Sequence, residues 1–529
     1  MTGLHNRLGA LAPPVLKGLH RGIEKEGLRV DSDGMLSARP HPPGLGSALA
    51  HSRITTDFSE SQLELITGVH GDIDGCLREL TQLHQEVFRQ IGDEMLWCAS
   101  MPCRLPDEDD IPIATYGGSN VGCMKTLYRM GLARRYGRRM QTISGIHYNF
   151  SLPEAAWPLL MGADGRGGDL GLYRDEGYFA LLRNFRRHSW LLLLLLGASP
   201  AVCGSFVAGR EHRLIPWGAG TLFAPGATSL RMGRMGYQSD AQGSLAVSFN
   251  DLAGYAASLN GALTQPYAAY EAIGVREGEG YAQLATSLLQ IENEFYGTIR
   301  PKRTTAPGER PLHALGRAGV EYVEVRCLDI DPFAPIGIDA EAIRLLDIFL
   351  LHCLLEDSPR DSPEEMKAMA RNQRLVAEGG RDPQTRLDRA GVQVTPAEWG
   401  AQLLRQFEPI AAALDGAHGG EAYGAVLARS RNALADPSTL PSARVLGEME
   451  RAHGRSFAQF ALAQSRAHRE TLRALPHSVQ AQEHYAALAA QSLAEQARIE
   501  ASDDLPFETY RRNYLEQDLL AGPHFRPRS

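Results

Sequence analysis

The chain has 529 residues, of which 43% are hydrophobic and 22% are charged. These are globular proportions, so a wholly disordered chain is excluded, and the length allows about three domains or one large body. Basic residues number 54 and acidic residues 62, which gives a formal net charge of −8. Nucleic acid is not expected as a partner, because neutralising its phosphates requires a net basic face.

The N-terminus and the cysteines predict the compartment. Residues 1–14 lack the basic flank, the apolar stretch and the cleavage site of a signal peptide. The seven cysteines are scattered, and no two have CxxC spacing, so neither a zinc ribbon nor a disulfide framework is indicated. We therefore expect reduced thiols and a cytoplasmic protein.

Four strand-like segments alternate apolar and polar side chains, over residues 23–30, 62–66, 146–152 and 322–327. Such alternation places successive side chains on opposite faces of a strand. The pattern predicts an antiparallel sheet with one face packed and the other face lining a site. The polar face is expected to carry Glu24, Glu26, Gln62, Glu64, His147, Asn149, Ser151, Glu324 and Arg326.

The carboxylates of this polar face, with Asp57 just upstream of the second segment, favour a divalent-cation site. Carboxylates gathered in one site raise each other's pKa, and a divalent ion or an acid–base role relieves the repulsion. Oxygen ligands with one histidine suit Mg²⁺ or Mn²⁺ better than structural zinc. A solvated strand face is the alternative, because single glutamates are mostly exposed, and the pattern alone leaves both open.

Basic residues form two clusters. Lys125 and Arg129 are four residues apart and share one face of a predicted helix. Arg300, Lys302 and Arg303 form the second cluster, and either cluster could hold a triphosphate or a carboxylate. Further arginines continue the first cluster: Arg134, Arg135, Arg138 and Arg139. We interpret them as a solvated helix face.

Two segments between these clusters bear on the architecture. Residues 189–209 contain no charged side chain, but Pro200 interrupts them. A buried core helix is therefore favoured over a membrane span, which needs about 20 apolar residues. The glycine-rich stretch 162–177 predicts a mobile surface loop.

The composition changes near residue 356. Residues 357–364 carry a turn-and-cap signal, and the sequence beyond them is rich in alanine, leucine, arginine, glutamate and glutamine at helical spacing. We expect residues 1–355 to form a sheet-and-helix body that holds the site. Residues 356–529 are expected to form a mainly helical part packed on that body.

Common nucleotide and hydrolase motifs are missing from the sequence. Residues 117–125 resemble a phosphate-binding loop, but the lysine does not directly follow the last glycine. No GxGxxG after a strand, no GxSxG and no HExxH occurs. Dinucleotide-binding, serine-hydrolase and zinc-protease functions are therefore disfavoured.

Eight ordered motifs nevertheless carry a specific resemblance. The chain resembles the proteobacterial class of glutamate–cysteine ligases, densely over residues 20–355 and loosely over the helical remainder. The motifs are GIEKEGLRV (22–30), ITTDFSESQLELIT (54–67), YGGSNVGCMKTLYRMGL (116–132), QTISGIHYNFSLP (141–153), LGASP (196–200), ATSLRMGRMGY (227–237), QIENEFYGTIRPKR (290–303) and GVEYVEVRCLDIDPFAPIGI (319–338).

The resemblance implies an α+β, glutamine-synthetase-like fold, in which a curved antiparallel sheet forms a funnel-shaped active site. It implies ATP- and Mg²⁺-dependent ligation of the γ-carboxylate of L-glutamate to the amine of L-cysteine through γ-glutamyl phosphate, the first step of glutathione biosynthesis. Three alternatives remain: a ligase of this fold that uses another amine, a metal hydrolase, and a non-catalytic scaffold. The chain is shorter than the fused form that also makes glutathione, so γ-glutamylcysteine is the expected product.

The resemblance also implies roles for individual residues. Glu324, Arg326 and Arg231 would be catalytic; Arg326 would contact the transferred phosphate and Arg231 would clamp a substrate carboxylate. The metal ligands would be Glu24, Glu26, Asp57, Glu64, His147 and Glu324. Lys125, Arg300, Lys302 and Arg326 would bind ATP. The region that accepts cysteine and the acyl group would comprise Phe58, Tyr128, Leu132, Gln141, Arg231, Tyr237 and Tyr296.

The expected partners are small molecules. They are L-glutamate, L-cysteine and ATP, with Mg²⁺ or alternatively Mn²⁺ as the ion. The family further implies feedback inhibition by glutathione. No membrane partner is expected.

Overall fold

The computed structural model describes residues 3–236, 240–243 and 245–525. Among them the chain forms fourteen strands and twenty α-helices. The strands are β1 His20–Val30, β2 Ile54–Thr56, β3 Gln62–Ile66, β4 Met95–Leu96, β5 Ile146–Ser151, β6 Ala201–Cys203, β7 Ile215–Gly218, β8 Thr221–Phe223, β9 Arg276–Glu277, β10 Gly280–Tyr281, β11 Ile299–Lys302, β12 Tyr322–Leu328, β13 Leu387–Arg389 and β14 Val392–Val394.

The helices occupy most of the remaining chain and dominate its C-terminal third. They are α1 Gly3–Ala10, α2 Pro13–Lys17, α3 Ile73–Gln90, α4 Asn120–Tyr136, α5 Arg138–Gln141, α6 Ala156–Ala163, α7 Leu170–His188, α8 Trp190–Leu196, α9 Asp240–Gly243, α10 Leu252–Thr264, α11 Ala268–Glu271, α12 Pro311–Ala318, α13 Ala340–Leu355, α14 Pro363–Gly379, α15 Pro396–His418, α16 Ala422–Ala435, α17 Pro441–Ala452, α18 Phe457–Ala474, α19 Val479–Ala501 and α20 Phe507–Leu515.

One antiparallel sheet organises the molecule. Its strand order is β11-β12-β5-β1-β3-β2, and β4 pairs with the end of β1. The register sets Glu26 opposite Glu64 and Glu24 opposite His147. The predicted antiparallel sheet is confirmed, and its register brings the polar side chains of neighbouring strands together.

The two faces of the sheet differ as the alternation predicts. Ile23, Leu65, Tyr148 and Val325 lie on the packed face and are at most 1% exposed. They belong to the core that helices α3, α7 and α13 complete. Burial of such side chains contributes about 1.5–3 kcal/mol each, so the packed face anchors the sheet and leaves the polar face to the site.

A buried ion pair ties the sheet to the helices behind it. Arg21 of β1 donates to Asp347 of α13 at 3.1 Å, and the hydroxyl of Tyr148 donates to the same carboxylate at 2.9 Å. The hydroxyl of Tyr423 in α16 makes a third contact at 3.3 Å. Removing one partner of such a pair leaves an uncompensated buried charge, so this network holds α13 and α16 against the sheet.

The apolar segment forms a short buried helix, as predicted. Helix α8 spans Trp190–Leu196, and Trp190 through Leu195 are buried. No helix in the described ranges combines the length and hydropathy that a membrane span requires. The loop predicted over 162–177 is wrong in its second half, because Asp169 caps Leu172 N and helix α7 begins at Leu170.

The C-terminal third is mainly helical, with one small hairpin of β13 and β14. Ser362 caps helix α14 by accepting from Glu365 N, where the turn-and-cap signal predicts a helix start. Helix α18 packs on α3 and β4, and α20 packs on α4. The C-terminal third therefore contacts the sheet body at several separate places.

Candidate active site

A cavity of about 470 Å³ lies over the polar face of the sheet. Strands β1, β2, β3, β5, β11 and β12 supply its floor. Helix α4, residues 284–293 and helix α20 supply its roof. Ser119 caps Gly122 N and starts α4, so the glycine-rich stretch 117–125 serves as a helix start.

The acids gather around one histidine. Ligand atoms of Glu24, Glu64 and His147 lie within 4.8 Å of one another. His147 Nε2 lies 3.5 Å from Glu26 Oε1, and His147 Nδ1 lies 3.9 Å from Glu324 Oε1. Five of the six predicted metal ligands therefore meet across four strands.

Asp57, the sixth predicted ligand, lines the same cavity from the end of β2. Its backbone carbonyl accepts from the hydroxyl of Tyr116 at 3.1 Å and from the Arg129 guanidinium. These contacts hold the Asp57 backbone between β2 and α4. Arg129 was predicted only as a member of the basic cluster that could hold a triphosphate or a carboxylate, and it received no individual role.

The electrostatics of the cluster fit a bound cation. Burial and the charge of Asp57 raise the pKa of Glu26 to about 8. Burial and the charge of Glu24 raise the pKa of Glu64 well above its usual range. For both carboxylates, burial and the neighbouring acids outweigh the nearby arginines. Oxygen donors with one imidazole match Mg²⁺ or Mn²⁺, so the residues present fit such an ion.

Glu324 differs because cations adjoin it. Lys302 Nζ lies 3.3 Å and Arg326 Nη1 lies 3.1 Å from its carboxylate. Burial would raise the pKa of Glu324, but Lys302 and Arg326 hold it well below the usual range. Other acids therefore surround Glu64, whereas cations adjoin Glu324 at β11 and β12.

A second cationic group faces the opposite side of the cluster. Lys125 Nζ lies 5.2 Å from the centre of the Tyr116 ring. Burial and the charge of Arg129 lower the pKa of Lys125 to about 8. Arg300, across the cavity, donates to Asn293 O at 2.9 Å. The predicted ATP ligands thus line one cavity but approach the acids from two sides.

The residues predicted to accept cysteine form one end of the cavity. Phe58 and Leu132 are 1% and 5% exposed, and they share an apolar cluster with Tyr128 at its edge. Gln141 Nε2 donates to the hydroxyl of Tyr296 at 2.9 Å. All five line the cavity, which gives this end apolar walls with one oriented amide.

Arg231 lies beside this end and behind the main cavity. It is 1% exposed and lines a small adjoining cavity with Tyr296 and Arg326. Its Nη2 donates to Arg326 O at 2.9 Å, and a Cβ on Gly145 would collide with its guanidinium. Tyr237, the remaining predicted residue of this group, lies outside the described residues.

Sequence reasoning missed part of the roof. Tyr510 and Tyr514 of α20 line the cavity, and no sequence pattern singled them out. The solvated face assigned to the arginine run is wrong for Arg135, whose side chain is 0% exposed and pairs with Glu294 at 2.8 Å. A buried acid so far along the chain could not be matched to Arg135 by spacing.

Comparisons with known proteins agree with the motif resemblance. A family model described as glutamate–cysteine ligase matches residues 9–376. The glutamate–cysteine ligase of Azotobacter vinelandii is 50% identical over 96% of this chain and 97% of that protein. The glutamate–cysteine ligase of Alcanivorax borkumensis is 48% identical over 97% and 98%.

Solved structures match as well. A crystal structure of Francisella tularensis glutamate–cysteine ligase in complex with AMP has a TM-score of 0.89 and 34% identity, covering 94% of this chain and 98% of that chain. A bifunctional glutathione synthetase from Pasteurella multocida has a TM-score of 0.72 at 23% identity, covering 92% of this chain and 58% of that chain. The second match shows the fold alone.

Fold and site together define the class as an α+β ligase whose cavity carries acids and cations on one sheet face. The chain belongs to the glutamate–cysteine ligase family, because the family model covers most of it and its relatives match at nearly full length.

Proposed function

We propose that the chain joins the γ-carboxylate of L-glutamate to the amine of L-cysteine and hydrolyses ATP to ADP and phosphate in doing so. The family relationship supports the reaction, and the AMP bound to the Francisella relative supports ATP as the nucleotide. The observation that carries the residue roles is the meeting of Glu24, Glu64 and His147 within 4.8 Å beside Glu324 and Arg326.

The chemistry explains why one cavity needs both signs of charge. A carboxylate is a poor acylating group, so an oxygen of the glutamate γ-carboxylate first attacks the γ-phosphorus of ATP and ADP leaves. The cysteine amine then attacks the acyl carbon, phosphate leaves, and the amine loses a proton. Phosphoryl transfer is catalysed mainly by positioning and by charge stabilisation.

The proposed metal ligands are the acids and the histidine of the floor. Mg²⁺, with Mn²⁺ as the alternative, would supply positive charge that neutralises the triphosphate and the γ-carboxylate. Arg326, Lys302 and Arg300 would hold phosphate oxygens from β11 and β12, and Lys125 would do so from the roof. The six proposed ligands are Glu24, Glu26, Asp57, Glu64, His147 and Glu324.

The apolar end of the cavity would receive cysteine. Phe58 and Leu132 would contact the thiol side chain, and Gln141 with Tyr296 would orient the acyl group and the amine. Arg231 remains a proposed carboxylate clamp, and its hydrogen bond to Arg326 O places it next to the proposed phosphate contact. Tyr128 and Tyr237 complete the proposed set.

Three further proposals concern inhibition, which the family implies, and the compartment and the domain division, which the sequence predicts. Glutathione would inhibit by occupying the amino-acid end, because it contains the γ-glutamylcysteine unit. All seven cysteines are free thiols, which is consistent with a cytoplasmic enzyme. Residues 1–355 would form the catalytic body with 356–529 packed on it, except that α20 reaches the cavity.

The test is a product assay with L-glutamate, Mg²⁺-ATP and a panel of amines. We expect ADP release to need glutamate, cysteine to stimulate it most, and γ-glutamylcysteine to accumulate in equal amounts with ADP. If another amine gives faster ADP release and more amide than cysteine, the chain is the alternative ligase that uses that amine. ADP formation without any amide would indicate a hydrolase, and no turnover would contradict catalysis.

A further inference from the structure

Helix α20, near the C-terminus, closes the outer end of the cavity. Tyr510 and Tyr514, one helical turn apart, both line it and therefore present one face of the helix to it. Both rings are half-buried. Within the described residues neither hydroxyl makes a hydrogen bond to the protein, so the two rings offer a partly exposed aromatic wall.

Hydrogen bonds to two other segments hold this helix in place. The Arg511 guanidinium donates to Leu284 O and, at 2.7 Å, to Glu508. Tyr281 donates its hydroxyl to Glu508 at 2.9 Å. Asn120 Nδ2, at the start of α4, donates to Leu505 O at 2.9 Å. Because two separate segments hold it, helix α20 forms a fixed wall of the cavity.

A chain of contacts leads from the phosphate-binding side to Tyr514. Arg300 donates to Asn293 O at 2.9 Å, and the neighbouring Glu292 accepts from Arg310 at 2.7 Å. The Arg310 guanidinium lies 5.4 Å from the centre of the Tyr514 ring, within the range of a cation–π contact. The aromatic wall thus adjoins the groups proposed to hold the triphosphate.

The cysteine end lies at the other end of α4. Met124 packs in the apolar cluster that contains Tyr510 and Tyr514, whereas Leu132 packs with Phe58. Met124 and Leu132 are eight positions apart on α4, a rise of about 12 Å along the helix. Tyr128, between them on α4, packs against both clusters. The wall of α20 therefore lies on the nucleotide side of Tyr128 and away from Phe58 and Leu132.

We propose that Tyr510 and Tyr514 contact the nucleoside of ATP and set the affinity and base selectivity of the nucleotide site. The inference rests on the proposed use of ATP. A purine presents a flat π surface that aromatic side chains bind by stacking. Ile291 and Leu284 add apolar surface on the neighbouring roof segment.

A neighbouring chamber offers the nucleoside a different position. It has a volume of about 360 Å³ and shares Asn293, Arg300 and Lys302 with the main cavity. Tyr255 and Tyr322 line only this chamber. Its shared cations suit phosphate oxygens, and the experiment separates its two tyrosines from those of α20.

The experiment measures KM for ATP, glutamate and cysteine in Tyr514→Ala, Tyr510→Ala and Tyr514→Leu. We expect KM for ATP to rise about tenfold in each, the scale of one lost base-stacking contact, with KM for cysteine within about twofold of wild type. Tyr514→Phe should retain the wild-type KM for ATP because the ring remains. Asn513→Ala is the matched control, since Asn513 lies exposed on the same helix.

Binding of AMP, followed by calorimetry without turnover, gives a second readout. We expect the same weakening in the three variants that lose the ring, and none in Asn513→Ala. An unchanged KM for ATP in Tyr514→Leu would overturn the inference, as would a selective rise in KM for cysteine. Tyr322→Ala and Tyr255→Ala, which change the neighbouring chamber alone, are measured in parallel. A rise in KM for ATP confined to these two variants would place the nucleoside in that chamber and overturn the inference too.

The same data separate this inference from the proposed reaction. A wild-type chain that forms no γ-glutamylcysteine contradicts the reaction itself. A wild-type chain that forms the dipeptide while the tyrosine variants keep their affinity for ATP contradicts only the role of α20. Tyr514→Leu keeps an apolar side chain in the wall, so it guards against loss of folding in Tyr514→Ala.

Discussion

The floor and the roof of the cavity are built in different ways. The floor takes its charges from paired strands, so register fixes Glu24, His147 and Glu324 within a few ångströms. The roof takes side chains from α4, residues 284–293 and α20, which lie far apart in sequence. We expect substitutions in the floor to change the rate of chemistry and those in the roof to change substrate affinity.

Glu324→Gln should have the largest effect. The substitution keeps the shape and removes the charge that Lys302 and Arg326 surround. We expect kcat to fall about 10²–10³-fold, the range for losing one group that stabilises transition-state charge, with KM for cysteine little changed. Steady-state kinetics check this.

Glu321→Gln serves as the matched control for that change. Glu321 lies just before β12, and its side chain is 41% exposed and pairs with Arg303. Its kcat should match wild type within about twofold. Equal losses in both variants would show that charge at the sheet edge, and not a metal or phosphate site, governs activity.

Arg326→Lys tests geometry at constant charge. Lysine keeps the positive charge but loses the planar fork that suits phosphate. We expect kcat to fall about 10–100-fold while KM for cysteine stays within about threefold. Arg317→Lys, on the exposed side of α12, should be unaffected. Full activity in Arg326→Lys would remove Arg326 from the proposed phosphate contact.

The charge of Lys125 in the roof should make ATP binding depend on pH. Its pKa is lowered to about 8 by burial and Arg129, so the amine becomes neutral above about pH 8 and loses its attraction for phosphate. The kcat/KM for ATP, which reports groups of the unliganded enzyme, should fall above that pH. Lys125→Arg stays charged and should remove this fall. An identical profile in both proteins would contradict the role of Lys125.

The smallest effect is expected for Tyr296→Phe. The change removes the hydroxyl that accepts from Gln141 Nε2, a contact worth about 1 kcal/mol. We expect KM for cysteine to rise about fivefold and KM for ATP to stay constant. Tyr267→Phe is the control, because Tyr267 is half-buried and does not line the cavity. A selective change in KM for ATP would reverse the assignment of the two ends.

The sequence predicted which side chains form the floor, because successive side chains of a strand alternate between its two faces. Glu24, Glu64, His147 and Glu324 sit on the predicted polar face, and the motif resemblance supplied their roles. The order and register of strands far apart in sequence are set by the packed face and are not encoded in any local pattern.

The roof could not be predicted in the same way. Tyr510 and Tyr514 are ordinary helix residues until tertiary packing brings α20 over the cavity. In the sequence Arg135 is part of a charged run, and only the folded structure brings Glu294 into contact with it. Residues 170–177 form helix despite their two glycines, because Asp169 caps the start of α7.

The central claim is that the floor activates glutamate as an acyl phosphate. The direct measurement uses glutamate labelled with heavy oxygen in its γ-carboxylate, with Mg²⁺-ATP and cysteine, followed by mass analysis of the released phosphate. The account predicts that each phosphate carries one labelled oxygen and that one γ-glutamylcysteine forms with it. Unlabelled phosphate accompanying the dipeptide would contradict that claim.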